Sequence, residues 1–317
     1  MTVSVLRTAD HWWVEDPATG RALEIPTTAR TTAELLTDRQ GVDDTAKRLA
    51  ESGGAVNAAE LDLLSPVTAP CRVVAQMVNY RSHAKDSGMA PDTVPPTFFR
   101  KASGSITGPR STVFRPPHVR LLDYEVELGL VLGADLPLNT AVTPTTLPNY
   151  VAGLVIADDI SARDVQLPKG QFYESKSYPT FTPVGPRLVL LDASEFTHMN
   201  RLRLRLWVND VLRQDRTVAD MIVQPARALT LLARFQTMTA GDLLLTGTPG
   251  GTALKAPPKP VEIAAALLPP AVKWRVFLGR QAKNPAYLQH GDVIAAGIAT
   301  DGHEIDLGTQ RTAVEHR

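Results

Sequence analysis

The stretch Leu121 to Gly133, LLDYEVELGLVLG, constrains this chain more than any other. Tyr124, Val126, Leu128, Leu130 and Leu132 share one parity, and Asp123, Glu125 and Glu127 share the other. Alternate side chains of a β-strand lie on one face. The pattern therefore predicts a strand with an apolar face and two glutamates pointing the same way, about 7 Å apart at Cα. Like charges at that spacing repel unless water or a cation sits between them. The strand is either solvated on its acidic face or part of a cation site, and spacing alone does not choose.

Composition narrows the setting. The 317 residues are 44% hydrophobic and 21% charged, which fits a globular protein of one large or two unequal domains. Lys plus Arg and Asp plus Glu both number 33, so the charge balance points to neither a nucleic-acid nor an anionic-membrane partner. The single cysteine, Cys71, excludes an internal disulfide and a cysteine-built zinc site. The start, MTVSVLRTADHWW, lacks a basic segment followed by a long apolar run, and no stretch reads as a membrane span. A cytoplasmic location is the default expectation. Pro (25) and Gly (21) are spread along the chain, favouring many short strands and turns over a helical bundle.

Residues 1–65 read as a small N-terminal α/β unit. Short strands surround the turn DPATG, and a helix follows in TTAELLTDRQGVDDTAKRLAES, opened by a capping box of Thr31 and Glu34. The proline-bearing LLSPVTAPCR marks a boundary near 64–70. Residues 70–312 read as a larger, mainly β domain. Strands are expected at VVAQMVNY, YVAGLVIADD, PRLVLL, LRLRLWVND, GDLLLTG and GDVIAAGIA, with a helix in MIVQPARALTLLARFQ. The alternation of Leu202, Leu204, Leu206 and Val208 with Arg201, Arg203 and Arg205 predicts an antiparallel strand with a basic outer face. Residues 253–289 have weak periodicity and two proline clusters, and read as an excursion from the core.

A third acid stands at a strand end, where sites gather: Asp158 or Asp159, which point opposite ways. Together with Glu125 and Glu127 it would make an all-oxygen cage suited to Mg²⁺ or Mn²⁺.

The segments NYRSHAKD (79–86), DYEVEL (123–128), DDISARDVQ (158–166), SKSYPTFTPVGP (175–186) and GTPGG (247–251) resemble, in order and separation, the fumarylacetoacetate hydrolase superfamily. The resemblance covers about residues 70–310. It implies an α+β, mainly β fold, a mixed β-sandwich roll, and a homodimer. It implies Glu125, Glu127 and Asp159 as ligands of Mg²⁺ or Mn²⁺, and His83, Asp86 and Lys176 as catalytic groups. Three apart on a helical turn, Asp86 is expected to orient the His83 imidazole for activating water. Lys176 is expected to donate a proton or polarise a carbonyl. Arg163, Gln166 and Thr248 are expected to bind substrate carboxylate or carbonyl groups. The implied substrate is a small 2-oxo acid or 1,3-dicarbonyl compound. The implied reaction is metal-dependent hydrolysis of a C–C bond in an acylpyruvate-like substrate. The alternative is a decarboxylase, tautomerase or hydratase on related 2-oxo or 2-hydroxy-dienoate acids. His118, His198, His290 and His303 show no partner pattern and read as structural.

Two departures from the family pattern stand out. The acid of NYRSHAKD is Asp86 where the hydrolases often have Glu, so its reach is one methylene shorter. The turn Gly291-Asp292 comes about forty residues after GTPGG instead of directly, leaving room for an insertion carrying Trp274 and Phe277 that shapes a pocket or an oligomer interface.

Overall fold

The computed structural model describes residues 2–51, 55–257, 260–261 and 267–317. Among them, ten strands form one sheet and five form a second. The large sheet runs Val56–Asn57, Arg21–Glu24, Trp12–Asp16, Val3–Arg7, Leu188–Leu190, Val151–Asp158, Val126–Leu132, Leu243–Leu245, Val73–Met77, Thr97–Lys101. Its pairs are antiparallel except Leu243–Leu245 against Val73–Met77. The smaller sheet runs Val211–Thr217, Arg203–Val208, Val293–Ala299, Asp306–His316, Thr112–Arg115. This mostly β architecture with a few short helices is the fold class expected from the sequence.

The strand Val126–Leu132 is buried along its whole length, on both faces. Its even-numbered residues, with Leu154 and Ile156, pack against Leu204, Leu206, Ile294, Ile298 and Leu307 of the smaller sheet. On the other face, Val131, Val155, Leu188, Leu190, Leu243 and Leu245 meet Val3, Val5, Leu35, Val42 and Leu49. Burying a side chain of this size stabilises by about 1.5–3 kcal/mol. The two apolar layers thus clamp the strand that carries the glutamates.

The N-terminal segment is tied to the remainder of the chain. Val3–Arg7 pairs antiparallel with Leu188–Leu190, so the strands of residues 1–65 extend the large sheet. Helices Thr32–Thr37 and Arg39–Glu51 cover it, the first opened by the Thr31–Glu34 capping box. Arg203–Val208 alternates half-buried arginines with buried leucines, as its pattern predicts. The helix expected over MIVQPARALTLLARFQ is shorter, Pro225–Leu232, because Pro225 starts it at the first turn where its missing N–H costs nothing.

The excursion after residue 253 carries a helix, Pro270–Gln281. Its base is closed by Asn284 Nδ2 donating to Ala253 O at 2.9 Å. The chain then re-enters the core through buried Tyr287 and Leu288. Residues 258, 259 and 262–266 of this stretch lie outside the described residues.

Candidate active site and metal centre

The register of two central strands assembles the acids. Val126 pairs with Asp158 across Val126–Leu132 and Val151–Asp158. Just before that pair, Asp159 N donates to Glu125 O at 2.9 Å, and Glu125 N donates to Asp158 Oδ1 at 2.8 Å. Asp158 thus serves the backbone, and Asp159 turns toward the glutamates. One carboxylate oxygen from each of Glu125, Glu127 and Asp159 lies within 4.8 Å of the other two, and all three residues are buried.

Burial makes the charge balance decisive. Asp123, Glu125, Glu127, Asp158 and Asp159 are buried together with Lys101, Arg163 and Lys176. Five carboxyls against three cations leave an excess of two negative charges when all are ionised. Without a cation, that excess favours the protonated form of some of these carboxyls. Burial, and then the charges of Asp159 and Glu125, push Glu127 well above the usual carboxylate range. Burial pushes Asp158 up to about 7, against the hydrogen bond from Glu125 N. Glu125 moves the other way: burial would raise it, but Arg163 and Lys176 hold it well below the usual range. An all-carboxylate cage two charges short of neutrality fits a hard divalent cation such as Mg²⁺ or Mn²⁺.

Lys176, from the short helix Tyr173–Lys176, reaches into the cage. Its Nζ donates to Glu125 Oε2 and Asp159 Oδ2, both at 2.6 Å, and to Ser161 Oγ at 2.8 Å. Burial would lower its pKa, but the Asp159 and Glu125 charges outweigh that and raise it. Arg163 and Gln166 sit one turn apart on the helix Arg163–Lys169. Arg163 was expected to hold substrate, but its guanidinium is spent largely on the protein. It donates to Asp123 Oδ2 at 2.9 Å, to Gln166 Oε1 at 2.9 Å and to Glu125. Three of its five N–H donors are used this way. Gln166, its amide oxygen held by Arg163, keeps its NH₂ for the cavity it lines.

The pairing expected between His83 and Asp86 is not formed. Asp86 Oδ2 accepts from Gly251 N at 2.9 Å, and His83 Nδ1 is buried without a hydrogen-bond partner among the described residues. Three-residue spacing puts two side chains near one helix face, but Asp86 ends the helix Arg81–Asp86 and reaches the GTPGG loop instead. Burial lowers the pKa of His83, the Glu125 charge opposing, so the ring is held toward its neutral form.

Thr248 lines the cavity, with its hydroxyl also engaged by the protein. Its hydroxyl donates to Val126 O at 2.9 Å and accepts from Gln214 Nε2 at 2.8 Å, so its proton is committed to the backbone. The loop around it requires glycine. Gly247 has φ +84° and donates its N–H to Glu127 Oε2 at 2.7 Å. Gly251 has φ +108°, and a Cβ there would stand 2.0 Å from Arg213 O.

Two functional-site residues escaped the sequence reading. Lys101 Nζ donates to Asp159 Oδ1, the oxygen that Lys176 leaves free, and to Phe181 O at 3.0 Å. Its burial lowers its pKa, with Asp159 pulling the other way. Asp123 accepts from Ala253 N at 2.8 Å and Leu254 N at 3.1 Å besides Arg163, and so links the acid strand to the root of the excursion. The same parity that marks Glu125 and Glu127 marks Asp123; nothing local marks Lys101.

A cavity of about 660 Å³ opens onto this cluster. His83, Glu125, Glu127, Arg163, Gln166, Lys176 and Thr248 all line it. Asp86 and Asp159 do not appear in its wall.

Residues 72–315 match the family model for the C-terminal domain of fumarylacetoacetate hydrolase. The chain belongs to that family. Among curated relatives it is 32% identical over 237 residues to the mitochondrial oxaloacetate tautomerase FAHD2B of Bos taurus, covering 74% of each chain. The human mitochondrial oxaloacetate tautomerase FAHD2A gives the same identity and coverage. Among solved structures, it resembles a probable 2-hydroxyhepta-2,4-diene-1,7-dioate isomerase from Mycobacterium abscessus. The TM-score is 0.74 at 28% identity, covering 100% of this chain and 99% of that one. A fumarylacetoacetate hydrolase from Exiguobacterium antarcticum matches with a TM-score of 0.74 at 26% identity, covering 100% of both chains. Relatives of this family member thus include hydrolases, isomerases and tautomerases. No helix among the described residues is long and apolar enough to cross a membrane.

Proposed function

We propose that this family member is a divalent-metal-dependent tautomerase or isomerase of 2-oxo acids, in which a proton is moved between carbon and oxygen and no carbon–carbon bond breaks. The observation that carries this reading is the missing His83–Asp86 pair. Water activation by a histidine is strongest with a carboxylate that orients and charge-supports the ring, and here His83 Nδ1 has no hydrogen-bond partner among the described residues while Asp86 Oδ2 accepts from Gly251 N. The oxaloacetate tautomerases among its relatives support the same choice.

Glu125, Glu127 and Asp159 would hold the cation, which when bound supplies electrophilic stabilisation of negative charge on substrate oxygens. The chain's own residues do the remainder. Gln166 NH₂ holds the substrate's acid end, and Arg163 fixes both Gln166 and Glu125. His83, kept neutral by burial, takes the proton from the carbon next to the 2-oxo group at Nε2. The C–H electron pair becomes the C=C bond and the carbonyl oxygen becomes the enolate. Lys176, kept protonated by its carboxylates, donates from Nζ to that oxygen, and the enol results. Burial of the acid cluster excludes bulk water from competing for these protons.

One feature favours the hydrolase as second reading. His83 lines the cavity and its Nδ1 has no protein partner among the described residues, so a water placed beside the ring could give up a proton to it without Asp86. Product analysis of a panel of 1,3-diketo acids and oxaloacetate by mass, in Mg²⁺, separates the two. An intact carbon skeleton with deuterium uptake from D₂O at the carbon next to the 2-oxo group, faster than in Mg²⁺-containing buffer alone, supports the tautomerase. Two fragments from each diketo acid mean hydrolysis.

A further inference from the structure

The cavity is much larger than the chemistry at its floor requires. At about 660 Å³ it lies in the range of pockets for drug-sized ligands, roughly 300–1,000 Å³, and exceeds what a four-carbon keto diacid fills. Its surplus space is lined mostly by apolar and aromatic side chains, with Lys255, Lys273 and Arg280 also in the wall, and Phe99 stands beside the reacting groups. The Phe99 ring lies 5.4 Å from Lys176 Nζ, and Phe172 stacks on Phe99 at 5.1 Å. Also in the cavity wall, Trp274 and Phe277 meet edge to face at 5.9 Å. They are three apart on the helix Pro270–Gln281 and so share one face of it. Leu254 lines the same cavity.

This wall is fixed to the acid cluster. Leu254 N donates to Asp123 Oδ2, and Ala256 N donates to Asp86 O at 2.9 Å. Asn284 Nδ2 closes the far end on Ala253 O. Described residues of this insertion, Leu254, Trp274 and Phe277 among them, therefore line the pocket.

Resting on the 2-oxo acid reading above, we infer that the substrate carries an extended apolar or aryl arm on the carbon side of the 2-oxo group. The arm runs from Phe99 and Phe172 to Trp274 and Phe277, while the acid end stays at Gln166 and the carboxylate cage. The aromatic pairs make this a slot for a flat or linear hydrocarbon. A four-carbon diacid would leave these rings facing water and gain nothing from them.

Binding tests this without relying on turnover. The Mg²⁺-loaded protein is titrated calorimetrically with pyruvate, 2-oxohexanoate, 2-oxooctanoate and 2-oxo-4-phenylbutanoate. These share one head group and lack a second carbonyl. Each buried methylene is expected to tighten Kd by about three- to fourfold, and the phenyl compound to bind at least about tenfold tighter than pyruvate. Trp274→Ala combined with Phe277→Ala should lower the ratio of phenyl to pyruvate affinity by about tenfold. If that variant does not fold, the wild-type series decides. A flat series, or oxaloacetate binding more tightly than every long-arm acid, overturns the inference. A rising series with neither tautomerisation nor cleavage of any acid would leave the arm assignment standing and remove the proposed reaction. Tautomerisation with a flat series would do the reverse.

Discussion

Lys176 Nζ lies 2.6 Å from Asp159 Oδ2, and both side chains are almost completely withdrawn from solvent. The same ammonium bridges to Glu125 Oε2 at 2.6 Å. It thus stands among the oxygens proposed for the cation and balances part of their charge in the metal-free protein.

Replacing it should therefore cost more stability without metal than with it. Lys176→Met leaves the carboxylates uncompensated, and breaking a buried pair costs about 3–5 kcal/mol. Urea unfolding in EDTA should show that loss, and saturating Mg²⁺ should recover much of it, because the cation binds only the folded state. Catalysis should be abolished. A variant equally stable in EDTA and in Mg²⁺ would contradict the placement of the cation.

Glu125→Gln should destabilise the metal-free protein. Two adjacent bare glutamates would suggest relief of repulsion, but here Arg163 and Lys176 both lose their shared carboxylate. The expected loss is about 3 kcal/mol or more in urea unfolding with EDTA. Mg²⁺ binding measured by calorimetry should fall below detection. An equal or higher Tm without metal would contradict the charge balance drawn for the site.

Asp86 should act through the GTPGG loop. Asp86→Asn is expected to leave the titration of the His83 ring unmoved, because the carboxylate accepts from Gly251 N. Asp86→Ala should cost about 1–3 kcal/mol through the lost acceptor. The His83 ring protons, followed by NMR against pH, check the first point; a shift of about one pKa unit in the Asn variant would restore the dyad.

The acid sensitivity of the fold should depend on His83. Its folded-state pKa is depressed by burial, so the unfolded chain takes up a proton first as pH falls. The stability this group confers is present above the unfolded histidine value, near 6.5, and is lost as pH falls toward the lower folded value. His83→Gln should remove that component. Stability compared by urea unfolding at about pH 7.5 and pH 5.5 should fall less in the variant than in the wild type. Equal falls would show that His83 is not the group concerned.

How far the sequence carried these conclusions differs between residues. Parity alone aligned Glu125 and Glu127 on one face, because a strand repeats every two residues. It left Asp158 and Asp159 undecided, since that choice is made by the hydrogen bond from Glu125 N across the sheet. The helix spacing of His83 and Asp86 was legible, but not their partners, because the competing donor, Gly251 N, is 165 residues away in the chain. Lys101 was missed for the same reason: its partners Asp159 and Phe181 come from distant segments, and FRKASG reads locally as a polar loop. The β-rich core was read from alternation. The burial of both faces of Val126–Leu132 was not, because the layer over its second face is supplied partly by residues 1–65.

The central claim is proton transfer on a 2-oxo acid without bond cleavage, and the interconversion of enol and keto oxaloacetate, followed by ultraviolet absorbance, tests it most directly. The wild-type protein in Mg²⁺ should accelerate the approach to equilibrium well beyond the Mg²⁺-containing buffer, with EDTA, Glu125→Gln and Lys176→Met each removing the effect. No acceleration of oxaloacetate, together with two fragments released from an acylpyruvate under the same conditions, would contradict the account and make the protein a hydrolase.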